Sequence, residues 1–197
     1  MKPYAESCDQ NRGPILGVLI DLFAHSSKVL EIGSGTGQHA VFFSRKMPHL
    51  LWQTSDRAEF HSGIRMWLQE SGLTNVAPPL LLDVSQAVWP ALEADAVFSA
   101  NTANIMHLPE VEAMILGVGR VLSVEGVFAL YGPFNYQSRY TSASNARFDQ
   151  WLKSRDPGSG IRDFEVLNNL AEKAGMSLMD DFEMPANNRL LAWRKRP

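Results

Sequence analysis

The run Glu31-Ile32-Gly33-Ser34-Gly35-Thr36-Gly37 joins an acid to three glycines at alternate positions. Glycine lets a backbone turn sharply and approach a ligand closely. A helix starting just beyond such a loop offers unpaired N–H groups to an anion or polar group. Nicotinamide, flavin and S-adenosylmethionine sites all use a loop of this kind, so its details decide. The spacing is G-x-G-x-G, and Gln38 stands where the dinucleotide fingerprint places its third Gly or Ala. Glu31, two residues before the first glycine, suits a cationic methionyl amine and would repel a pyrophosphate. Asp56 and Asp83 close the next two apolar runs. A carboxylate at Asp56 can accept both hydroxyls of a ribose, and one at Asp83 can accept an adenine amino group. Each acid alone could equally be a turn or cap residue. Three of them at successive strand ends favour S-adenosylmethionine.

Methyl transfer is an in-line displacement, and much of its rate comes from placing the acceptor on the correct axis. A base is needed only where the accepting atom starts out protonated and poorly nucleophilic. Asn101 and Asn104 follow the fourth apolar run, and their amides could orient an acceptor. His107 is either a general base near neutral pH or a histidine at a helix entry. Tyr131 and Phe134 could wall an acceptor pocket or belong to the core, and His39 has a structural or cofactor-orienting role. Arg162 could grip an acceptor carboxylate, or together with Asp163 hold a neighbouring loop in place. Pro185-Ala186-Asn187-Asn188 reads as a turn with a possible pocket role. The five histidines are scattered, with no pair at helical ligand spacing beside an acid, so no metal is expected.

Short β-rich runs alternating with helical patterns position these residues, which argues for an α/β fold with a mostly parallel sheet. Strands are predicted at 28–32, 50–55, 79–82, 96–100, 126–131, 177–184 and 189–193. Helices are predicted at 14–23, from Thr36 as cap through Lys46, at 57–70, 110–122, 146–153 and 162–174. The polar, turn-rich stretch Asn135 to Ser144 is longer than a hairpin loop needs, and loops of that size are often functional. It is expected to overhang the carboxyl edge of the sheet and close over a small acceptor. Arg194-Lys195-Arg196 reads as a solvated tail.

The chain has 197 residues, 45% of them hydrophobic, which suits one domain over 1–197 with a sizeable core. With 18 Lys plus Arg against 21 Asp plus Glu, the formal net charge is −3, so the chain has no overall electrostatic footprint for nucleic acid or an anionic membrane. Cys8 is the single cysteine, and the first residues contain no apolar signal region. Both favour a cytoplasmic location.

More specific patterns are Gly35-Thr36-Gly37-Gln38-His39, Tyr131-Gly132-Pro133-Phe134, Thr141-Ser142 with Ser144-Asn145 and Phe148-Asp149, Gly160-Ile161-Arg162-Asp163, and Pro185-Ala186-Asn187-Asn188. Through them the chain, from about Asp9 to Trp193, resembles a family of small class I methyltransferases long catalogued as a domain of unknown function, the methyltransferase-like protein twenty-six family. The resemblance implies a doubly wound, Rossmann-like α/β fold whose seven-stranded, mostly parallel sheet has one antiparallel strand, and S-adenosyl-L-methionine as cofactor. The expected cofactor-binding residues are then Arg12, Glu31, Gly33, Ser34, Gly35, Gly37, Asp56, Arg57, Asp83, Val84 and Asn101. His107, Asn101 and Tyr131 are expected on the reacting side, facing a small-molecule acceptor. Two other functions remain open: a nicotinamide-dependent oxidoreductase, against which Gln38 counts, and a non-catalytic S-adenosylmethionine-binding module. A nucleic-acid methyltransferase is disfavoured, since Asn101-Thr102-Ala103-Asn104 stands where an Asp/Asn-Pro-Pro-Tyr motif would be.

Overall fold

The computed structural model describes residues 2–197. The first helix is α1 (Glu6–Leu22), followed by β1 (Lys28–Ile32), α2 (Gln38–Lys46), β2 (Leu51–Asp56), a 3-10 turn (Ala58–Phe60), α3 (His61–Ser71) and β3 (Val76–Leu81). Then come β4 (Ala94–Ala100), α4 (Leu108–Val121), β5 (Leu122–Gly132), β6 (Phe134–Asn135), α5 (Ala143–Arg155), β7 (Arg162–Asp163), α6 (Phe164–Lys173), β8 (Met176–Met184), a second 3-10 turn (Pro185–Asn187) and β9 (Asn188–Lys195).

Seven strands form one sheet in the order β3-β2-β1-β4-β5-β9-β8. The first five are mutually parallel, and β9 runs antiparallel to both β5 and β8. The order reverses between β1 and β4. Open α/β sheets bind ligands at such a switch point, outside the carboxyl ends of the strands.

Side chains alternate across the sheet with a period of two. Val127, Ala129 and Tyr131 of β5 join Ile15 and Leu19 of α1 and Phe43 of α2 on one face. Phe128 and Leu130 join Met114 and Val118 of α4 and Leu167 of α6 on the other. Both faces are therefore covered by helices, which is why the central strands read as near-continuous apolar runs. Aromatic packing fixes the first face beneath the glycine loop: the Phe43 ring lies 5.4 Å from both Trp52 and Phe98.

Several local expectations are corrected. The first helix begins at Glu6 and runs through Pro14, which sits inside it rather than near its first turn. The buried stripe Asn11, Ile15, Leu19 repeats every four residues and outweighs the loss of one backbone hydrogen bond. Gly37, in the left-handed conformation at φ 92°, is the N-cap of α2, while Thr36 Oγ1 accepts from the Gln38 amide. Arg162 and Asp163 pair as a short strand with Phe134 and Asn135 instead of opening α6. Arg194 and Lys195 are the end of β9 rather than a tail, and Lys195 Nζ donates to the Ala174 carbonyl at 2.9 Å. Among the described residues no helix is long and apolar enough to cross a membrane.

Candidate active site

The loop between β1 and α2 is built from the backbone upward. The Gly33 and Ser34 amides both donate to the Ser55 carbonyl, at 3.1 and 3.0 Å, and so tie the loop to the end of β2. Gly33 has φ +73°, and a Cβ there would meet Thr102 Cγ2 at 2.5 Å. The position needs glycine both for its dihedral and for the close approach of the segment after β4. Thr102 is fixed in turn by the Ser99 hydroxyl, 2.6 Å away, which also lies 2.8 Å from the Ile32 carbonyl.

Glu31 is 2% exposed and lies beneath this loop. Its Oε2 accepts from the Ser34 hydroxyl at 2.8 Å and from the Trp52 indole N–H at 3.1 Å. Burial pushes its carboxyl up to about 7, against the two hydrogen bonds that favour ionisation. Asp56, at the end of β2, accepts from the Gly35 amide at 2.7 Å through Oδ2 and from the Arg57 amide at 2.8 Å through Oδ1. Burial raises its pKa as well. Asp83 is more open, and the Ser85 hydroxyl at 2.7 Å helps to hold it below the usual carboxylate range.

These groups line a cleft of about 400 Å³ that runs across the carboxyl ends of β3, β2, β1 and β4. Leu82, Asp83 and Val84 form one end, with Ile105, Met106 and Glu110. Asp56, Arg57 and Gly35 form the middle, and Gly33, Thr36, His39, Asn101, Ser7 and Cys8 belong to the β1/β4 side. Of the expected cofactor residues, Gly33, Ser34, Gly35, Asp56, Arg57, Asp83, Val84 and Asn101 are brought together here. Asn101 has a left-handed φ of 57°, and its amide donates to the Tyr131 carbonyl at 2.8 Å. A wider groove of about 750 Å³ lies elsewhere, against the end of α1 and the first residues of β4 and β5, away from the glycine loop.

The other expected residues are placed outside the cleft's lining. Glu31 supports the loop from below. Gly37 caps α2, where a Cβ would come within 3.1 Å of the Ile64 Cα. Arg12 pairs with Asp9 at 2.6 Å and packs over the Phe42 ring at 4.8 Å. His107 is the N-cap residue of α4: its amide donates to Glu110 Oε2 at 2.7 Å and its Nε2 lies 2.8 Å from Asp156. Tyr131 is 3% exposed and packs in the core with Ile15, Leu19 and Phe98. Arg162 donates to the carbonyls of Ala103, Met106 and Gly158, and so ties down the segment after β4.

The segment Asn135 to Ser144 does not line the cleft either. Its contacts run outward: Tyr136 donates to Asp181 at 2.6 Å, the Gln137 amide to Glu165 at 3.1 Å and Tyr140 to Asp149 at 2.6 Å. The turn at Pro185–Asn187 carries left-handed Ala186 and Asn187, and the Asn187 carbonyl accepts from the Asn145 side chain.

The N-terminal strap was not legible as part of the site. Pro3 packs on Gly63, where a Cβ would lie 2.5 Å from its ring, and the Pro3 carbonyl accepts from Trp67 Nε1 at 2.7 Å. The Gln38 side chain clasps Ala5 in both directions, accepting from its amide at 2.7 Å and donating to its carbonyl at 3.2 Å. This clasp brings Ala5, Ser7 and Cys8 to the rim of the cleft.

Solved structures share this architecture at low identity. An O-methyltransferase family protein from Burkholderia thailandensis superposes with TM-score 0.83 and 16% identity, covering 93% of this chain and 56% of that one. The mitomycin 7-O-methyltransferase MmcR gives TM-score 0.83 at 16% identity, over 96% of this chain and 54% of that one. An O-methyltransferase family 2 protein from Planctomyces limnophilus, in complex with apigenin, gives TM-score 0.82 at 16% identity, over 94% and 56%. This chain thus spans about half the length of these structures. They show the fold, a Rossmann-like methyltransferase architecture. A family model matches residues 2–195, almost the whole described chain, and through it the chain belongs to the family described as protein of unknown function (DUF938).

Proposed function

We propose that this chain is an S-adenosylmethionine-dependent methyltransferase working as a single domain on a small-molecule acceptor. The observation that supports it most is the cleft itself. It sets an ionised carboxylate at Asp83, the carboxyl of Asp56 and a glycine loop that any Cβ at Gly33 would obstruct in the order in which adenine, ribose and sulfonium follow one another. When bound, S-adenosylmethionine supplies a methyl group on a cationic sulfur.

The chain's own residues supply placement and electrostatics. Leu82, Val84, Ile105 and Met106 offer apolar walls for an adenine, and Asp83 accepts from its amino group. Asp56 spends one lone pair of each oxygen on the loop amides and keeps others for two ribose hydroxyls. Glu31, held by Ser34, places a buried carboxyl under Gly33. A cation arriving above favours its ionised form and lowers its pKa. Asn101, whose backbone N–H is held by Tyr131, lines the β1/β4 side and can orient an acceptor through its side-chain amide. His107 faces Asp156, so the proposed chemistry rests on positioning rather than on a base from that residue.

Calorimetric titration tests the reading. S-adenosylhomocysteine is expected to bind and NAD is not, and the reverse result would replace this proposal by an oxidoreductase. Methyl transfer from labelled S-adenosylmethionine to a panel of small phenols, amines and thiols then separates an enzyme from a binding module.

A further inference from the structure

His39 lines the β1/β4 side of the cleft, yet it serves no step above. Its ring is stacked on Phe43 at 5.3 Å and meets Phe98 edge-on at 6.1 Å. Its Nε2 lies 2.7 Å from Asn11 Oδ1. An amide oxygen only accepts, so with Nε2 donating to Asn11 the neutral ring keeps its lone pair on Nδ1. Asn11 lies on α1, Phe43 on α2 and Phe98 on β4, so the ring is braced beside the switch point of the sheet. Burial first, and the Arg12 guanidinium second, outweigh the Cys8 backbone and the Asp9 carboxylate and hold the imidazole down to about 4, so it stays uncharged at neutral pH.

With adenosine over β3 and β2, the amino-acid tail of the cofactor must fall at the β1/β4 side, among His39, Thr36, Ser7 and Cys8. An unprotonated ring nitrogen bonds only a hydrogen-bond donor. The tail carries one such group, its ammonium, while its carboxylate carries none. Resting on the reading above, we propose that His39 is a cofactor-binding residue whose Nδ1 accepts a hydrogen bond from the α-ammonium of S-adenosylmethionine. Asn11 is then the positioning residue that fixes the tautomer.

Two probes separate this from a purely structural role: S-adenosylhomocysteine, which has the tail, and methylthioadenosine, which lacks it. His39→Gln sets an amide atom near the Nε2 position, keeps the bond to Asn11 and removes the lone pair at Nδ1. His39→Asn keeps an acceptor oxygen near Nδ1. Titrated calorimetrically, His39→Gln is expected to lose about tenfold in affinity for S-adenosylhomocysteine, with methylthioadenosine unchanged. His39→Asn is expected to restore most of the difference. Equal losses for both probes in His39→Gln, or no loss for either, would overturn the assignment. If the parent protein binds neither probe, the methyltransferase reading itself fails, and the role of His39 with it.

Discussion

A carboxyl group buried as deeply as Glu31 costs the fold stability whenever it is ionised. Its pKa in the folded chain is about 7, while an unfolded glutamate titrates near 4.3. As pH rises, the unfolded chain therefore gives up the proton first, and ionisation favours unfolding. The contribution is absent below about pH 4, grows between about pH 4 and 7 and stays near 4 kcal/mol above that. Glu31→Gln is expected to melt higher than the parent at pH 8, with the gap closing at pH 5, while binding S-adenosylmethionine more weakly. Thermal melts at the two pH values, paired with calorimetry, check both halves, and a gap independent of pH would show that the carboxyl titrates alike in the folded and the unfolded chain. Asp56 shares the upward shift, but its partners are backbone amides that truncation would leave unpaired. Asp56→Ala removes the acceptor of two loop amides, so it is expected to lower both folding stability and cofactor affinity, each by about 1.5–3 kcal/mol. Glu31, Asp56 and Asp83 were legible because their distance from a strand end is written in sequence order. His39 was legible only as a structural or cofactor-orienting residue. What singles it out, the Asn11 brace and the Phe43 and Phe98 rings, comes from α1, α2 and β4, and no local spacing brings those together.

The strands and most helices were readable from apolar periodicity, and their ends shifted by a few residues where caps rather than apolar residues decide them. Helix α1 was read too short because a proline is a strong local breaker, while the Asn11–Ile15–Leu19 stripe that overrides it gains its value only from tertiary packing. The helix-entry alternative for His107 is the one the structure carries. His107→Ala is expected to loosen the start of α4 and lower the melting temperature by a few degrees, while leaving S-adenosylhomocysteine affinity intact. An equally stable variant with lost binding would return His107 to the site. Gly33→Ala separates loop from cap. The added methyl at φ +73° would press on Thr102, so both stability and cofactor affinity should fall, by about 1–3 kcal/mol in stability, as a denaturant titration would show.

At the scale of the molecule, the cleft joins elements that are far apart in the chain, so a ligand seated there opposes global unfolding. S-adenosylhomocysteine at one hundred times its dissociation constant stabilises a folded domain by about 2.7 kcal/mol. For a chain of this length that amounts to a rise of roughly 5–10 °C in melting temperature. NAD at the same concentration should leave the melt unmoved. The switch point of the sheet was readable in outline from the alternation of strands and helices. The strap over the cleft was not, because Lys2 to Ala5 carry no periodicity and find their partners at Gln38, Gly63 and Trp67 only once α2 and α3 are packed.

That strap also makes Trp67 an optical reporter. Of the five tryptophans, Trp52 and Trp193 are sealed in the core, whereas Trp67 has its indole N–H on the Pro3 carbonyl and the Lys2 ammonium 3.7 Å above its ring. A positive charge over an indole perturbs its excited state, so the colour and yield of Trp67 emission register whether residues 2–5 lie against α3. If the strap lifts to admit ligand and settles afterwards, stopped-flow mixing with S-adenosylhomocysteine should give an emission transient in the parent that Trp67→Phe lacks. Identical traces from the two proteins would mean that the strap stays in place while ligand enters beneath it.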